Sequence, residues 1–337
     1  MQVWNGAGDV PENPGPSVAT LGIFDGVHRG HQVVLAATVA EAENAGLSSV
    51  AVTFDPHPAT VHRPEQDLAL IASLTDRLER LEATGLDAVL VVPYTLTFAR
   101  AKPEEFVREY LVELLQARTV VVGEDVRFGR DNTGDRATMV ELGRQLGFSV
   151  EIVRDITSDT GRRWSSTWVR ELLAAGDVAG AAHVLGRAHR VRGVVVHGAR
   201  RGRELGYPTA NLRADDLGVV PADGVYAGWL IRPDLERQPH DASVSKRLPA
   251  AISVGTNPTF HGVERTVEAH VLGRTDLDLY DEEVVVELVE RLRPQVAFDG
   301  VPALLDQMAD DVAKVAGILE VPAPARPTVP AHPGAAS

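Results

Sequence analysis

Two histidines that lie three residues apart follow the first strand-like run of this sequence, in the segment Gly22–His31. Residues at this spacing share one face of a helix, and a helical pattern begins here. The first turn of a helix offers free N–H groups and a positive dipole end to an anion. Gly30, between His28 and His31, would let a phosphate approach the backbone closely. The pattern predicts charge stabilisation on a phosphate during in-line displacement, with the nucleophile supplied by the acceptor.

Other polar residues follow later strand-like runs. Asp55 and His57 lie in a turn made rigid by two prolines, and glycines bracket Asp125 and Arg127 in a segment suited to ribose and phosphate contacts. The segment Ser166–Arg170 places hydroxyls at a helix start. Taken singly, each resembles an ordinary turn or helix cap, as a lone His-x-x-His would be an ordinary helix start. Their position after a series of strands favours a common site.

The second half of the chain contains a different set of candidate functional residues. A glycine-punctuated loop with three arginines, between Gly198 and Gly206 and including Arg201, suits a polyphosphate. Thr209 and Asn211 alternate on an extended segment, so their oxygens point the same way and suit Mg²⁺. Glu268 lies on the polar face of an alternating run, which on spacing alone is more often the solvated side of a strand.

The elements that position these residues change in kind along the chain. Strand-like runs are predicted first at Ser17–Ile23, Ser48–Phe54, Asp87–Val92, Arg118–Val122 and Ser149–Val153. Helices are predicted between and after them at His31–Ala45, Thr75–Thr84, Pro103–Leu115, Asp135–Leu146, Trp168–Ala175 and Val178–Leu185. This alternation predicts a doubly wound parallel sheet, whose ligands bind at the carboxyl ends of the strands.

Beyond residue 186, strands follow one another without crossover helices. They are predicted at Val191–Val196, Val225–Ile231, Ala250–Val254, Arg265–Leu272 and Glu283–Leu288, with one helix at Pro302–Val315. Such an order predicts an antiparallel β-barrel with a terminal helix. The expected domains are therefore residues 1–186 and 187–320, followed by a disordered Pro- and Ala-rich tail at 321–337.

Composition limits the classes of function. The 337 residues carry a net charge of −14, which disfavours general nucleic-acid binding. The absence of cysteine excludes thiol catalysis and Cys-ligated metals. The sequence has no apolar run long enough for a membrane span, and its first residues lack the pattern of a signal peptide. We therefore expect a cytoplasmic protein without nucleic-acid or membrane partners, in which self-association is compatible with the sequence.

The ordered set of motifs in the first half resembles the adenylyltransferase half of bacterial bifunctional riboflavin kinase/FAD synthetases. The resemblance implies that His28 and His31 stabilise the transferring α-phosphate and that the Asp55–His57 turn lies near FMN. The residues it implies for ATP are Gly22, Phe24, Asp25, Gly30, Asp125, Arg127, Ser166, Thr167 and Arg170. Phe128 is a further flavin-binding candidate. Val126 and Trp164 depart from the family pattern, which affects the expected packing of the site wall rather than its chemistry.

The second half resembles riboflavin kinases through Pro208–Asn211, Gly224–Ala227, Val254–Phe260 and Glu268. This resemblance makes Glu268 the base for the ribityl 5′-hydroxyl and makes Thr209 and Asn211 ligands of Mg–ATP. Gly198, Arg201 and Gly206 would contact the nucleotide. Asn211, Phe298, Leu304 and Met308 would contact the flavin, although a helix–barrel core explains the last three equally well.

Together the two resemblances predict a bifunctional enzyme. It converts riboflavin and ATP to FMN, then FMN and ATP to FAD and pyrophosphate, with Mg²⁺ and without a tightly bound prosthetic group. One alternative is a nucleotidyltransferase for another small acceptor with a regulatory flavin-binding barrel; the presence of Thr209, Asn211 and Glu268 argues against it. A second alternative is tRNA aminoacylation, which the acidic charge opposes.

Overall fold

The computed structural model describes residues 1–66, 68–154, 157–158, 161–197, 202, 205–213, 217–233, 246–259 and 262–326. The predicted nucleotide residues Gly198 and Arg201, and the predicted tail from residue 327 onward, lie outside the described residues. The chain divides into two compact units. The first comprises residues 1–70 and 74–166, and the second comprises residues 71–73 and 167–337.

The first unit is built on a six-stranded parallel sheet. Its strands are β1 (Gln2–Asn5), β2 (Ser17–Leu21), β3 (Ser48–Asp55), β4 (Ala88–Pro93), β5 (Ala117–Gly123) and β6 (Ser149–Val153). They lie in the order β1-β4-β3-β2-β5-β6. The predicted doubly wound parallel sheet is confirmed. The sequence did not indicate β1, because this four-residue edge strand is mostly exposed and has no apolar run.

Helices cover this sheet. They are α1 (Arg29–Ala45), α2 (Pro58–His62), α3 (Leu74–Glu82), α4 (Pro103–Phe106, continued by a π-helix at Val107–Leu114) and α5 (Arg136–Leu146). All five residues of β2 are buried, as expected for a central strand covered on both faces. Helix α1 packs on β2, β3 and β5 and ends at Gly46, whose φ of 66° is the left-handed conformation that glycine tolerates.

The sheet order places a switch point between β2 and β5. From β2 the chain continues through β3 and β4 on one side, whereas β5 and β6 lie on the other side. In doubly wound sheets the connections on either side of such a point leave a crevice at the carboxyl ends of the strands. The loops after β2 and β5 therefore flank a ready-made binding site.

The second unit contains a closed antiparallel barrel. Its strands are β7 (His189–Val196), β8 (Ala210–Leu212), β9 (Gly224–Ile231), β10 (Arg247–Thr259), β11 (Gly262–Val271) and β12 (Glu283–Arg293), in the order β10-β11-β8-β7-β12-β9. The helices of the unit are α6 (Ser166–Ala175, whose first residue belongs to the first unit), α7 (Val178–Leu185) and α8 (Val301–Ile318). The predicted barrel with a terminal helix is confirmed, and the unpredicted β8 is only three residues long.

Helix α7 packs on the barrel strands β7 and β12. Its side chains Val178, Ala181, Val184 and Leu185 are at most 2% exposed. The compact units divide between residues 166 and 167, whereas the sequence places the domain boundary at residue 186, which stays a prediction. The sequence boundary marked a change from helices to strands, which does not report the element on which a helix packs.

This division predicts that a fragment of residues 167–326 is more stable than one of residues 187–326. The shorter fragment loses the buried face of α7 and exposes the barrel surface beneath it, at about 1.5–3 kcal/mol for each large apolar side chain. Thermal unfolding followed by circular dichroism should show a clearly lower Tm for the shorter fragment. Equal Tm values would show that α7 contributes nothing to the barrel.

Candidate active sites

The loop between β2 and α1 has an unusual backbone. Phe24, Gly26 and Val27 have φ values of 53°, 78° and 41°, in the left-handed region that non-glycine residues rarely adopt. Such conformations persist only where the surrounding structure fixes them, and they cluster at functional sites. The loop is therefore expected to be held by specific contacts.

Side chains from other elements bind the carbonyl at the start of this loop. The Ile23 carbonyl accepts a hydrogen bond from Thr53 Oγ1 at 3.0 Å and another from Arg77 Nη1 at 3.1 Å. Arg77 also donates through Nη2 to Oδ1 of Asp55 at 3.1 Å. The end of β2 is thus tied to β3 and α3.

Two further carbonyls of the loop are also bound. Ser166 Oγ donates to the Asp25 carbonyl at 2.8 Å, and Gln32 Nε2 donates to the Val27 carbonyl at 2.8 Å. The backbone groups that a left-handed loop cannot pair in a regular element are thereby satisfied.

The two histidines emerge from this loop as a stacked pair. The ring centroids of His28 and His31 are 3.6 Å apart with an interplanar angle of 19°, and the edge of Phe24 contacts His31 at 5.4 Å. His28 caps α1, because its Nδ1 accepts from the backbone N–H of His31 at 3.3 Å. A neutral imidazole that accepts through Nδ1 carries its proton on Nε2. His28 is therefore held in the tautomer that can donate from Nε2.

Two glycines allow this packing. A Cβ on Gly30 would lie 3.1 Å from Cε1 of His28, and a Cβ on Gly22 would lie 2.9 Å from the Phe24 ring. Both positions are needed by neighbouring side chains of the protein itself. The close approach of a phosphate to Gly30 stays a prediction.

A cavity of about 500 Å³ opens at the switch point of the sheet. It is lined by ten of the residues predicted for this site: Gly22, Phe24, Asp25, His28, Gly30, His31, His57, Asp125, Arg127 and Ser166. His57 is fixed in the same way as His28, because its Nδ1 accepts from the N–H of Ala59 at 3.0 Å. The volume and the mixed polar lining suit a nucleotide-sized ligand.

Four predicted residues of this set are not among the residues that line the cavity. Asp55 pairs with Arg77 and is not part of the cavity lining. Phe128 is 5% exposed, and its ring lies 6.3 Å from that of Phe106 in the hydrophobic core. Its flavin contact stays a prediction. The backbone of Phe128 is fixed by two hydrogen bonds to the backbone of Gly134, at 3.1 and 2.9 Å. Thr167 and Arg170 lie in α6, in the second compact unit.

The cavity also contains residues that the sequence did not indicate. Phe54 supplies an aromatic wall, and Arg163 forms an ion pair with Asp125. Arg77 was missed altogether, since it belongs to no motif. The sequence feature that could have indicated Arg77 is a charged residue among Leu74, Leu78 and Leu81 on the apolar face of α3.

In the barrel, the three predicted catalytic and metal-binding residues come together. Register pairing of β8 with β11 places Asn211 opposite Glu268. Thr209 Oγ1 donates to Glu268 Oε2 at 3.3 Å, and Asn211 Nδ2 donates to Thr209 Oγ1 at 3.2 Å. A cavity of about 60 Å³ is lined by Thr209, Asn211 and apolar residues that include Leu279. A carboxylate thus lies directly beside a possible cation ligand.

The residues expected to contact the flavin in the barrel are more scattered. Met308 packs against the core formed by α8 and the barrel, whereas the ring of Phe298 lies 5.8 Å from the Arg293 guanidinium. Leu304 is half-buried in α8. None of these three lines the cavity beside Thr209. Their flavin contacts stay predictions.

A second cavity of the barrel, of about 180 Å³, contains Gly206, Tyr207 and His270. His270 is 8% exposed, and its Nδ1 donates to the Pro208 carbonyl at 2.8 Å. Its ring contacts that of Tyr207 at 5.2 Å. Burial lowers the pKa of His270, and the bond to Pro208 opposes this shift only in part. A neutral histidine thus braces the residue that precedes Thr209.

The two units and their sites define a two-domain nucleotide-dependent transferase. A family model described as FAD synthetase matches residues 10–168, and one described as riboflavin kinase matches residues 185–319. The chain is 33% identical over 294 residues to the bifunctional riboflavin kinase/FMN adenylyltransferase of Escherichia coli K12, covering 87% of this chain and 90% of that one. It is 36% identical over 304 residues to that of Pseudomonas fluorescens, covering 90% and 93%. The chain belongs to the family of bifunctional riboflavin kinase/FMN adenylyltransferases.

A solved structure agrees over nearly the whole chain. It is described as a macrolide-efflux protein from Streptococcus pneumoniae, is 32% identical and has a TM-score of 0.80, with 92% of this chain and 96% of that chain covered. In the part of the chain that the structure describes, no helix has the length and apolar character needed to cross a membrane. The family match confirms both predicted activities, riboflavin kinase and FMN adenylyltransferase, with ATP as a substrate.

The lowered pKa of His270 predicts a pH-dependent stability. The unfolded chain binds a proton at the ordinary histidine pKa of about 6.5, whereas the folded chain binds it only at lower pH. The stabilisation is therefore complete above about pH 6.5 and is lost as pH falls toward the folded pKa. His270→Gln should flatten this decline in denaturant titrations between about pH 5 and 7. The exposed His183, changed to Gln, serves as control, and an unchanged slope in His270→Gln would contradict the prediction.

Proposed function

We propose that the cavity at the switch point of the parallel sheet is the site of FMN adenylyl transfer. The observation that carries the proposal is the stacked histidine pair, with the His28 proton directed to Nε2, at the N-terminus of α1 within this cavity. The phosphate oxygen of FMN attacks the α-phosphorus of ATP, and pyrophosphate leaves. Hydrogen bonds from His28 and His31 stabilise the negative charge that develops on the α-phosphate.

The remaining residues of this site bind and orient the substrates. Asp125 and Arg127 fix ATP, and the Asp55–His57 turn lies near FMN. The family resemblance assigns the triphosphate to Ser166, Thr167 and Arg170. The bond from Ser166 to the Asp25 carbonyl also secures the loop of residues 22–28 between β2 and α1, the phosphate loop. No protein base is required, because the FMN phosphate is already ionised. The protein contributes positioning and charge stabilisation.

For the barrel, we infer that Glu268 is the general base of riboflavin phosphorylation. The carboxylate takes the proton from the ribityl 5′-hydroxyl as the oxygen attacks the γ-phosphorus of ATP. Thr209 and Asn211 lie within hydrogen-bonding distance of each other, and Thr209 also contacts Glu268, so the base adjoins the nucleotide site.

The donors of the barrel site fit Mg²⁺. The hydroxyl of Thr209 and the amide oxygen of Asn211 belong to adjacent side chains, and Mg²⁺ prefers such oxygen ligands when it keeps waters and phosphate oxygens. Bound there, the ion would neutralise and orient the phosphates of ATP. A cytoplasmic location, the lack of a prosthetic group and of nucleic-acid partners, and self-association stay predictions of the sequence.

Replacing either histidine should separate the two activities. We expect His28→Ala or His31→Ala to lower FAD formation from supplied FMN on the order of 10²–10³-fold, because one preorganised donor to the transferring phosphate is lost. Riboflavin phosphorylation by the same protein should persist and reports on folding. Chromatographic separation of FMN and FAD measures both. His183→Ala is the control, and near-normal FAD formation in both site variants would remove the histidines from catalysis.

Glu268→Gln should have the opposite effect. Glutamine keeps the size of the side chain but cannot accept the hydroxyl proton, so FMN formation should fall about 10²–10⁴-fold. FAD formation from added FMN should stay near normal. The exposed Glu290, changed to Gln on β12, provides a matched control. Full kinase activity of Glu268→Gln at equal Mg–ATP would leave the barrel without its proposed base.

A further inference from the structure

Arg77 is a buried arginine that connects two strand ends of the first unit. Its side chain is 3% exposed. One guanidinium nitrogen donates to the Ile23 carbonyl at the end of β2, and the other donates to the Asp55 carboxylate at the end of β3, each at 3.1 Å. A single planar group therefore fixes the distance between the phosphate loop and the Asp55–His57 turn.

The charge of Arg77 is matched by two carboxylates. Asp55 forms the ion pair, and Asp25, itself 3% exposed in the phosphate loop, also interacts electrostatically with the guanidinium. A buried ion pair is weak evidence for stability, since apolar residues of similar volume often stabilise a fold as well. The neighbours Leu74, Leu78 and Leu81 pack in the hydrophobic core beneath α3, where Arg77 and Asp76 are buried charged residues. A requirement for geometry explains the arginine better.

The groups to which Arg77 donates lie a few residues before the two cavity histidines in the sequence. Ile23 is followed by Phe24, the first residue of the loop with a positive φ, and the loop ends at His28. Asp55 precedes His57, whose side chain lines the same cavity. Displacements of about 1 Å at such a site can cost on the order of 10²-fold in rate.

We propose that Arg77 is a positioning residue for FMN adenylyl transfer. It holds the phosphate loop at a fixed distance from the Asp55–His57 turn. Arg77 acts through Ile23 and Asp55 and need not touch either substrate. Its contribution lies in aligning the histidine pair with the acceptor phosphate. The inference rests on the function proposed above for this cavity.

The test compares Arg77→Met, Arg77→Lys and Thr53→Val in the full chain. We expect Arg77→Met to lower kcat for FAD formation from FMN roughly 10–100-fold, with a much smaller change in KM, because alignment in the transition state is lost. Arg77→Lys should recover part of the rate, since an ammonium keeps the charge but lacks the planar fork. Thr53→Val removes the other side-chain donor to the Ile23 carbonyl and should lower kcat by a smaller factor.

Riboflavin kinase activity measures the amount of folded barrel, and thermal unfolding followed by circular dichroism measures the folding of the first unit. Riboflavin kinase activity should stay near wild type in all three variants and in Arg144→Met, which removes an exposed ion pair of α5 and should not alter FAD formation. Coupling to Asp55 is tested by adding Asp55→Asn: the further loss caused by Arg77→Met should be smaller in that background. If Arg77→Met fails to fold, Arg77→Lys and Thr53→Val decide the question.

Wild-type kcat in both Arg77→Lys and Thr53→Val, or kcat within twofold of wild type in a folded Arg77→Met, would overturn the proposal. Equal loss of both activities with a lowered Tm in all three variants would also overturn it, because it shows a structural role. His28→Ala measured in parallel separates this result from a failure of the proposed site. A severely impaired His28→Ala beside a normal Arg77→Met contradicts only the role of Arg77, whereas an active His28→Ala contradicts the site itself.

Discussion

The Ile23 carbonyl is the point on which the first active site depends. It accepts hydrogen bonds from Thr53 and Arg77, and these bonds hold the chain where it leaves the sheet in a left-handed conformation. The loop then leads into α1, and His28 occupies the N-cap position of this helix. Each of the two non-glycine residues at positive φ costs about 1–3 kcal/mol of conformational strain. Without these hydrogen bonds the loop would relax to a less strained conformation.

The chain combines two phosphate-transfer sites that use different means. At the parallel sheet, the acceptor is an anion and the protein supplies donors at a helix N-terminus. At the barrel, the acceptor is a hydroxyl, and a carboxylate lies beside the residues that suit the cation and nucleotide. In the proposed mechanisms, the residues of each site suit the chemistry of its nucleophile. Both reactions then proceed without a covalent intermediate and depend on positioning.

The sequence indicated the candidate site residues better than it indicated the residues that position them. The histidine pair and the strand–turn–helix that carries it follow from local patterns, and the family resemblance indicated Thr209, Asn211 and Glu268. The pairing of Asn211 with Glu268 became visible only in the structure, because it depends on the short strand β8. Arg77 could not be predicted, because its partners Ile23 and Asp55 are distant in sequence and meet only through the sheet order. Phe128 illustrates a different limit: it follows polar site residues in the sequence, and nothing local indicates that it belongs to the hydrophobic core.

The sequence also did not indicate on which strands each helix packs. The pattern of α7 indicates a helix with a buried face, but nothing local shows that this face lies on β7 and β12 of the barrel rather than on the preceding sheet. The short strands β1 and β8 form because neighbouring strands supply their hydrogen-bond partners, which a window of three or four residues does not reveal.

In the proposed mechanism, two independent sites in one chain act in sequence through FMN. Equal amounts of His28→Ala and Glu268→Gln can be mixed with excess riboflavin, ATP and Mg²⁺. Neither variant alone should form appreciable FAD from riboflavin, and the mixture should, because FMN made by one protein is adenylylated by the other. A mixture that accumulates FMN but no FAD, although Glu268→Gln converts added FMN, would contradict this mechanism.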